Sequence, residues 1–271
     1  KYPERFYNCG VAEANMTGLA AGLASSGICP VTYTITPFNT ARCFEQIRLD
    51  VCYPNLPVII VGTGSGLSYA GLGATHHSME DIAILRTLPN MHIICPADPV
   101  EVRLALEDAL RLGRPTYIRI GKKGEPVVHN DPPDFKIGRG ITLRNGSDIA
   151  ILSVGNMAST ALRCADILSE KSLSTRVISL HSIKPLDGIL LKELFSSYQK
   201  IAVIEEHGLI GGAGSALLEW GNQNAVDLGK LIRFGGPDRF LTSCGNQDNA
   251  RKSIGLAPEP ISNHILALLS Q

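Results

Sequence analysis

Glu13 is the first residue whose chemistry stands out, because it is the only charged side chain in the segment "GVAEANMTGLAAGLASSG", residues 10–27. A carboxylate in the first turn of a helix is stabilised by the helix dipole, typically by ~0.3–1 kcal/mol, which is a sufficient structural reason for its presence. The small residues around it also let another backbone or a ligand approach closely. In such an apolar setting the pKa of Glu13 is expected to be raised, and the carboxyl group suits acid–base chemistry.

Two adjacent histidines, His76 and His77, are the second candidate. They end a glycine-rich loop that follows the apolar run "PVIIVGT" and precedes a predicted helix. In an open α/β sheet, ligands bind in the loops after the carboxyl ends of strands, and paired histidines there suit proton transfer. The structural alternative is one surface histidine and one that caps the helix. No third ligand lies at a suitable spacing, so a metal site is not predicted.

The elements that must position these residues follow an alternation of short β-branched runs and helical patterns, which predicts an α/β fold with parallel sheets. A stretch rich in Gly, Pro and charge interrupts the alternation and marks a domain boundary. We predict two domains, each a mostly parallel sheet covered by helices, at residues 1–122 and 147–271 with a linker at 123–146. Strands are predicted at 31–35, 57–62, 91–95, 116–120, 148–155, 175–180, 200–206 and 230–234, and helices at 14–25, 40–52, 79–87, 100–112, 157–169, 187–197, 259–269 and after the glycine-rich turn that follows residue 206.

Composition excludes several classes of function. Lys plus Arg (25) balances Asp plus Glu (25), so neither a nucleic-acid partner nor an acidic membrane surface is expected. The apolar runs are far shorter than a membrane span. The seven cysteines are scattered, which predicts free thiols in a reducing, cytoplasmic setting rather than a disulfide framework or a zinc site. The first residues read as the middle of a domain, so the natural chain is expected to begin earlier.

Several ordered blocks resemble the transketolase family over essentially the whole chain. The blocks "RFYNCGVAEANMTGLAAGLA", "TITPFNTARCFEQIRLDV", "GLGATHHSMEDIAILRTLPNMHIICPAD" and "RPTYIRIGKK" are together similar to its pyrimidine-binding domain. The remainder, with "DIAILSVG", "KPLD", "IAVIEEH" and "GGAGSALLE", resembles its C-terminal domain. The resemblance implies a thiamine-diphosphate-dependent enzyme that transfers a two-carbon ketol unit from a ketose to an aldose.

The cofactor residues that this resemblance implies lie in the first half of the chain. Glu13 matches the glutamate that hydrogen-bonds a ring nitrogen of the aminopyrimidine and thereby activates the cofactor. Phe38 matches the aromatic residue that stacks on the pyrimidine, although a register shifted by one residue puts Asn39 there. Arg42 follows on the same segment and is assigned to the cofactor site, with a purely structural role as the alternative.

The substrate residues implied by the resemblance lie in the two following loops. His76 matches the histidine beside the reacting carbonyl, and His77 falls where the family often has Gln. Lys122 falls near a basic residue that grips the substrate phosphate, and a solvated loop lysine is the alternative. Two positions depart from the pentose-pathway enzymes: Leu72 replaces an Asp that reads a sugar hydroxyl, and Gly64 replaces a His that reads a phosphate. A less hydroxylated, modified or unphosphorylated donor is therefore a hypothesis.

The other half of a complete enzyme is not found in the sequence. The family's diphosphate-binding domain carries a Gly-Asp-Gly motif and a later Asn for the metal, and this chain has neither. We therefore expect a separate diphosphate-binding partner subunit that holds Mg²⁺ or Ca²⁺, in an α2β2 assembly. Two alternatives stay open. One is a related thiamine enzyme, like deoxyxylulose phosphate synthase or the β subunit of a 2-oxo acid dehydrogenase, and the other is a non-catalytic subunit.

Overall fold

Two five-stranded sheets form the framework, and they confirm the predicted fold class. The computed structural model describes residues 2–242 and 245–269. The strands in this part of the chain are β1 Val31–Ile35, β2 Ile59–Thr63, β3 His92–Ile94, β4 Thr116–Arg119, β5 Ile141–Arg144, β6 Ile149–Ser153, β7 Thr175–Ser179, β8 Ser182–Lys184, β9 Ile201–Gly208 and β10 Leu231–Gly236. The first sheet has the order β1-β2-β4-β3-β8 and the second the order β10-β9-β6-β7-β5. Within each sheet the first four strands are parallel, and β8 and β5 are antiparallel edge strands.

The helices cover the sheets, as a sheet whose strands are apolar on both faces requires. The helices of the described residues are α1 Glu13–Ser25, α2 Thr36–Asn39, α3 Phe44–Gln46, α4 Asp81–Arg86, α5 Pro99–Leu112, α6 Ala158–Ser169, α7 Gly188–Ser197, α8 Ala213–Gln223, α9 Gln247–Ser253 and α10 Pro258–Leu269. The bounds of α5 follow from its sequence. Asp98 caps it by accepting a hydrogen bond from the Glu101 amide, Pro99 opens it, and Gly113 ends it at a φ of 61°. None of the described helices combines the length and apolar character that crossing a membrane requires.

Three predicted features differ from the structure. The helix predicted at 40–52 is interrupted, because Thr40 turns its hydroxyl back to the Thr36 carbonyl at 2.7 Å and the chain continues as a turn, α3 and a π-helical segment, Ile47–Cys52. The last residues of the predicted linker form β5, which pairs with β7. The unpredicted strand β8 comes from the second half of the chain and pairs with β3 of the first sheet. The domain boundaries themselves stay a prediction.

Arg119 forms a buried ion pair within the first half of the chain and also hydrogen-bonds the second half. Arg119, at the end of β4, donates from Nε to Asp81 Oδ2 at 2.7 Å, and Tyr117 donates its hydroxyl to the same oxygen at 2.5 Å. Nη2 of Arg119 donates to the carbonyl oxygens of Ser78 at 3.0 Å and of Glu206 at 2.9 Å, and Glu206 lies on β9 of the second sheet. Burial acts to raise the pKa of Asp81, but the charges of Arg119 and His207 and the hydrogen bonds from Arg119 and Tyr117 together outweigh it, so the pKa lies below its usual value.

We expect Asp81→Asn to lower the free energy of unfolding by about 3–5 kcal/mol, because it leaves the buried guanidinium of Arg119 without its counter-charge. Urea unfolding followed by circular dichroism measures this change. Asp50→Asn, at an exposed carboxylate, is the matched control and leaves the unfolding midpoint in place. Equal midpoints for the two variants would contradict a structural role for the Asp81–Arg119 pair.

Candidate active site

Glu13 is the first residue of α1, and its side chain lies close to the segment that follows α2. The residue is only 8% exposed, and Arg42 donates from Nη1 to its Oε2 at 2.8 Å. Burial acts to raise the pKa of Glu13, but the hydrogen bond from Arg42, a backbone hydrogen bond and the charge of Arg42 together outweigh it, so the pKa lies below its ordinary value. The expectation of a raised pKa was therefore wrong for the chain by itself, because the sequence did not show that a guanidinium lies beside the carboxylate.

Phe38 rather than Asn39 faces the group around Glu13, which favours the first of the two registers that the sequence left open. The Phe38 ring centroid lies 5.3 Å from that of His76 at an interplanar angle of 74°, and the guanidinium carbon of Arg42 lies 4.4 Å from the Phe38 centroid. Asn39 is fully buried, and its Nδ2 donates to the Val61 carbonyl at 2.8 Å. Asn39 thus connects α2 to β2 through this hydrogen bond. The ring of Phe38, the preceding residue, faces His76 instead.

His76 joins this group and His77 does not. His76 is half-buried, and its Nδ1 lies 2.9 Å from the Thr75 hydroxyl. His77 is 6% exposed. Its Nε2 lies 3.1 Å from the carbonyl oxygen of Ala70, and its ring lines a different cavity together with Met79. The geometry therefore does not support the predicted role of His77 in substrate binding, because the loop turns this ring inward as a structural contact.

Lys122 contacts Tyr69, which in turn contacts His76, and Tyr69 was not among the predicted site residues. Lys122 follows β4, and its ammonium nitrogen lies 5.2 Å from the ring centroid of Tyr69. The Tyr69 ring lies 6.2 Å from that of His76. Tyr69 is the only Phe, Tyr or Trp in the glycine-rich loop, residues 62–77, and this was the signal that could have identified it.

The group combines a shielded carboxylate, a flat aromatic face, an imidazole and an ammonium group. Such a set suits a planar, hydrogen-bonding heteroaromatic ligand stacked on Phe38, with a second, anionic molecule near His76 and Lys122. Within the described residues, no three or more His, Cys, Asp or Glu side chains form a cluster that could hold a metal ion.

Comparison with known proteins finds a family match for each half of the chain. Residues 1–125 match the family described as "Transketolase, pyrimidine binding domain", and residues 138–261 match "Transketolase, C-terminal domain". The chain therefore belongs to the transketolase family.

Relatives of similar length include proteins named as transketolase subunits. One of the subunits of the apulose-4-phosphate transketolase of Actinobacillus succinogenes is 34% identical over 268 residues, which cover 99% of this chain and 86% of that protein. A solved structure described as "Split gene transketolase, inactive beta4 tetramer" has a TM-score of 0.88 at 34% identity and covers 99% of this chain and 85% of the other. The "1-deoxy-D-xylulose-5-phosphate synthase" of Magnetococcus marinus is 40% identical over 272 residues, 99% of this chain but 43% of that protein.

We expect Arg42→Ala to raise the pKa of Glu13, because the hydrogen bond and charge that lower it are removed while the burial that raises it remains. Carboxyl carbon NMR of the isolated chain across an acid titration measures the shift. A lowered pKa in the folded state adds stability above the unfolded pKa of about 4, and this stability is lost as the pH falls through the folded value. The stability difference between the two proteins should therefore be present at pH 7 and shrink in acid.

Arg48→Ala is the control, since Arg48 pairs with Glu45 on the protein surface. It should move the pKa of Glu45 and leave that of Glu13 in place. If Arg42→Ala also leaves the titration of Glu13 unchanged, Arg42 does not control this carboxylate.

Proposed function

We propose that this chain is the pyrimidine-binding subunit of a two-subunit, thiamine-diphosphate-dependent transketolase that transfers a two-carbon ketol unit from a ketose to an aldose. The observation that carries the proposal is the convergence of Glu13, Phe38 and His76, which come from three separate segments of the first domain. Phe38 and His76 are in ring contact, and the guanidinium of Arg42 links Phe38 to Glu13.

The residues present fit the aminopyrimidine of the cofactor. Phe38 offers a ring face, and Glu13 offers a carboxylate with little access to water, so a hydrogen bond from a ring nitrogen to this carboxylate would be strong. When bound, thiamine diphosphate supplies the carbanion chemistry that breaks the bond beside the ketose carbonyl. The part of this chain is to hold and orient the ring, and to keep a proton on the nitrogen that faces Glu13.

Arg42 contacts Glu13 and Phe38, the same two residues that we propose contact the aminopyrimidine. Its planar guanidinium hydrogen-bonds Glu13 and lies over Phe38. Its side chain is 48% exposed, so it can swing toward solvent without disturbing the core. We infer that Arg42 keeps the Glu13 carboxylate ionised while the site is empty and gives up part of this contact when the ring enters.

The substrate roles fall to His76 and Lys122. His76 lies at the edge of the Phe38 ring, where its imidazole can hydrogen-bond a substrate hydroxyl and relay a proton. Lys122 has no carboxylate partner among the described residues, so its charge is available to an anionic substrate group.

A second subunit is required by this proposal. It would hold the diphosphate and its Mg²⁺ or Ca²⁺, and we propose an α2β2 assembly. The relative solved as an inactive β4 tetramer supports the view that such a chain needs a different partner for activity. A cytoplasmic location stays a prediction.

A second candidate activity is decarboxylation of a 2-oxo acid, as in deoxyxylulose phosphate synthase. It is favoured by the 40% identity to the enzyme of Magnetococcus marinus. The chain spans only 43% of that protein, whereas it spans 86% of the transketolase subunit, and this favours the split transketolase. Carbon dioxide release from pyruvate by the purified complex distinguishes the two activities.

Purification of this chain from its source cells should bring down a second polypeptide that contains a Gly-Asp-Gly motif, together with thiamine diphosphate. Mass spectrometry of the partner and a fluorescence assay for the cofactor measure both. Mixing the two purified subunits should restore turnover that neither has alone. A chain that purifies alone and is active alone would refute the two-subunit proposal.

Glu13→Gln should reduce turnover of the reconstituted complex by about 10²–10⁴-fold, as expected for loss of a group that acts in proton transfer. Gln keeps the size of the side chain and removes the charge, so the complex should still form. Isothermal titration with thiamine diphosphate gives a readout besides activity and should show weakened binding. Glu45→Gln, on the surface of the same domain, is the control. Turnover of Glu13→Gln equal to that of the control would mean that Glu13 is only a helix-end charge.

A further inference from the structure

Glu206 lies on β9 in the second domain, but its side chain contacts the glycine-rich loop that carries Tyr69 and His76. The residue is fully buried. Its Oε1 accepts hydrogen bonds from the Leu67 amide at 2.6 Å and from Nε2 of Gln247 at 3.0 Å. A carboxylate of the second domain is thus bonded to the loop backbone two residues before Tyr69.

The backbone next to Leu67 leaves space for this carboxylate. Gly66 has a φ of +62°, a conformation that favours glycine, and a Cβ at this position would overlap the Glu206 side chain. The Gly66 amide donates to the Ser78 carbonyl at 3.1 Å, and the Ser78 amide donates to the Gly66 carbonyl at 2.9 Å. This bridge closes the loop two residues after His76, so the carboxylate lies at the base of the loop.

Hydrogen bonds continue from Leu67 to the histidine pair. The Leu67 carbonyl accepts from the Ala70 amide at 2.9 Å. The Ala70 carbonyl in turn lies 3.1 Å from Nε2 of His77, the residue after His76. Because a hydrogen bond tolerates little change in length or angle, a shift of the Leu67 backbone would move the peptide that joins the two histidines.

The Glu206 carboxylate is oriented by α9. Arg251 donates from Nε to its Oε2, and Nε2 of Gln247 lies 3.1 Å from the same oxygen. The Arg251 side chain is only 12% exposed. The ion pair keeps the carboxylate charged and directed at the Leu67 amide, and a hydrogen bond to an ionised acceptor is roughly twice as strong as a neutral one.

We propose that Glu206 is a positioning residue for the substrate: through the Leu67 amide it fixes the loop that carries His76. The inference rests on the proposed function and deepens it, since the second domain then controls substrate binding without contacting the substrate. Glu13 and Phe38 lie on α1 and α2, outside this loop. Binding of the aminopyrimidine should therefore not depend on Glu206.

Two variants separate loop positioning from stability. Glu206→Gln keeps an oxygen for the Leu67 amide but removes the counter-charge of Arg251, so it should lower the Tm and leave the loop in place. The double variant Glu206→Leu, Arg251→Met replaces the buried ion pair by apolar side chains, a change that is often neutral for stability. It also removes the acceptor of the Leu67 amide. The loop should therefore shift in the double variant, at a Tm no lower than that of Glu206→Gln.

The first measurement uses the reconstituted two-subunit complex. It compares kcat/KM for xylulose 5-phosphate or fructose 6-phosphate, whichever the wild type turns over faster, with the Kd for thiamine diphosphate. The double variant should lower kcat/KM by about 10–100-fold, because a displacement of about 1 Å can cost this much. Its Kd for the cofactor should stay within about threefold of wild type, since distant sites act independently. Glu206→Gln should keep both values near those of wild type.

Glu205→Gln is the matched control, because Glu205 is the buried neighbour of Glu206 on β9. Its carboxylate accepts hydrogen bonds from the amides of Ala213 at 2.7 Å and Gly214 at 2.9 Å, both in the second domain. This variant should lower the Tm without lowering kcat/KM. A kcat/KM that follows the Tm across the variants would mean that Glu206 acts only through stability, and the proposal would fail.

Amide hydrogen exchange of the isolated chain tests the contact without activity. The Leu67 amide should exchange at least about tenfold faster in the double variant than in wild type, because it loses its buried acceptor. In Glu206→Gln it should stay protected. An unchanged rate in the double variant overturns the inference and leaves the transketolase proposal intact. If the wild-type complex turns over no ketose, the proposed function fails, and the substrate role of Glu206 fails with it.

Discussion

The rest of the structure depends on the buried pair between Asp81 and Arg119. Arg119 is almost fully buried and makes hydrogen bonds to the first residue of α4, to the loop before it and to β9 of the second sheet. A buried guanidinium must be neutralised and its N–H groups must be satisfied, so this one residue fixes how the two sheets and the loop meet. His76 lies two residues before Ser78, whose carbonyl oxygen accepts a hydrogen bond from Arg119.

The second half of the chain reinforces the same junction. Glu206 accepts hydrogen bonds from the Leu67 amide at 2.6 Å and from Gln247, and it is paired with Arg251. Leu67 lies in the glycine-rich loop that carries Tyr69 and His76, so a carboxylate of the C-terminal domain holds the loop of the pyrimidine domain. Among the residues that the structure describes, those in contact with Glu13, Phe38 and His76 come from the first domain, and the C-terminal domain contributes hydrogen bonds to the loop.

The fold was predictable from the sequence because each parallel strand is a short apolar run bounded by turn residues, as in "PVIIVGT" and "DIAILSVG". The antiparallel edge strands β5 and β8 were not; β8 has only three residues, and its pairing with β3 depends on a contact across about ninety residues of chain. The choice of Glu13 and His76 as candidate site residues followed from their unusual surroundings and from the resemblance to transketolases, and their roles stay predictions. The Arg42 contact, the inward turn of His77 and the contacts of Tyr69 with His76 and Lys122 depend on side-chain directions, which periodicity does not encode.

The pairing of β8 with β3 joins the two domains through the edge of the first sheet, even though each has its own sheet. Lys184 on β8 also donates to the carbonyl oxygens of Arg86 and Leu88 at 2.9 and 2.6 Å, at the end of α4. Cutting the chain in the segment between the domains would remove β8 and leave the backbone groups of β3 without partners along one edge. An open edge of this kind is a template for strand addition by another molecule. A strand of the second domain thus covers the β3 edge of the first sheet, whose opposite edge is β1.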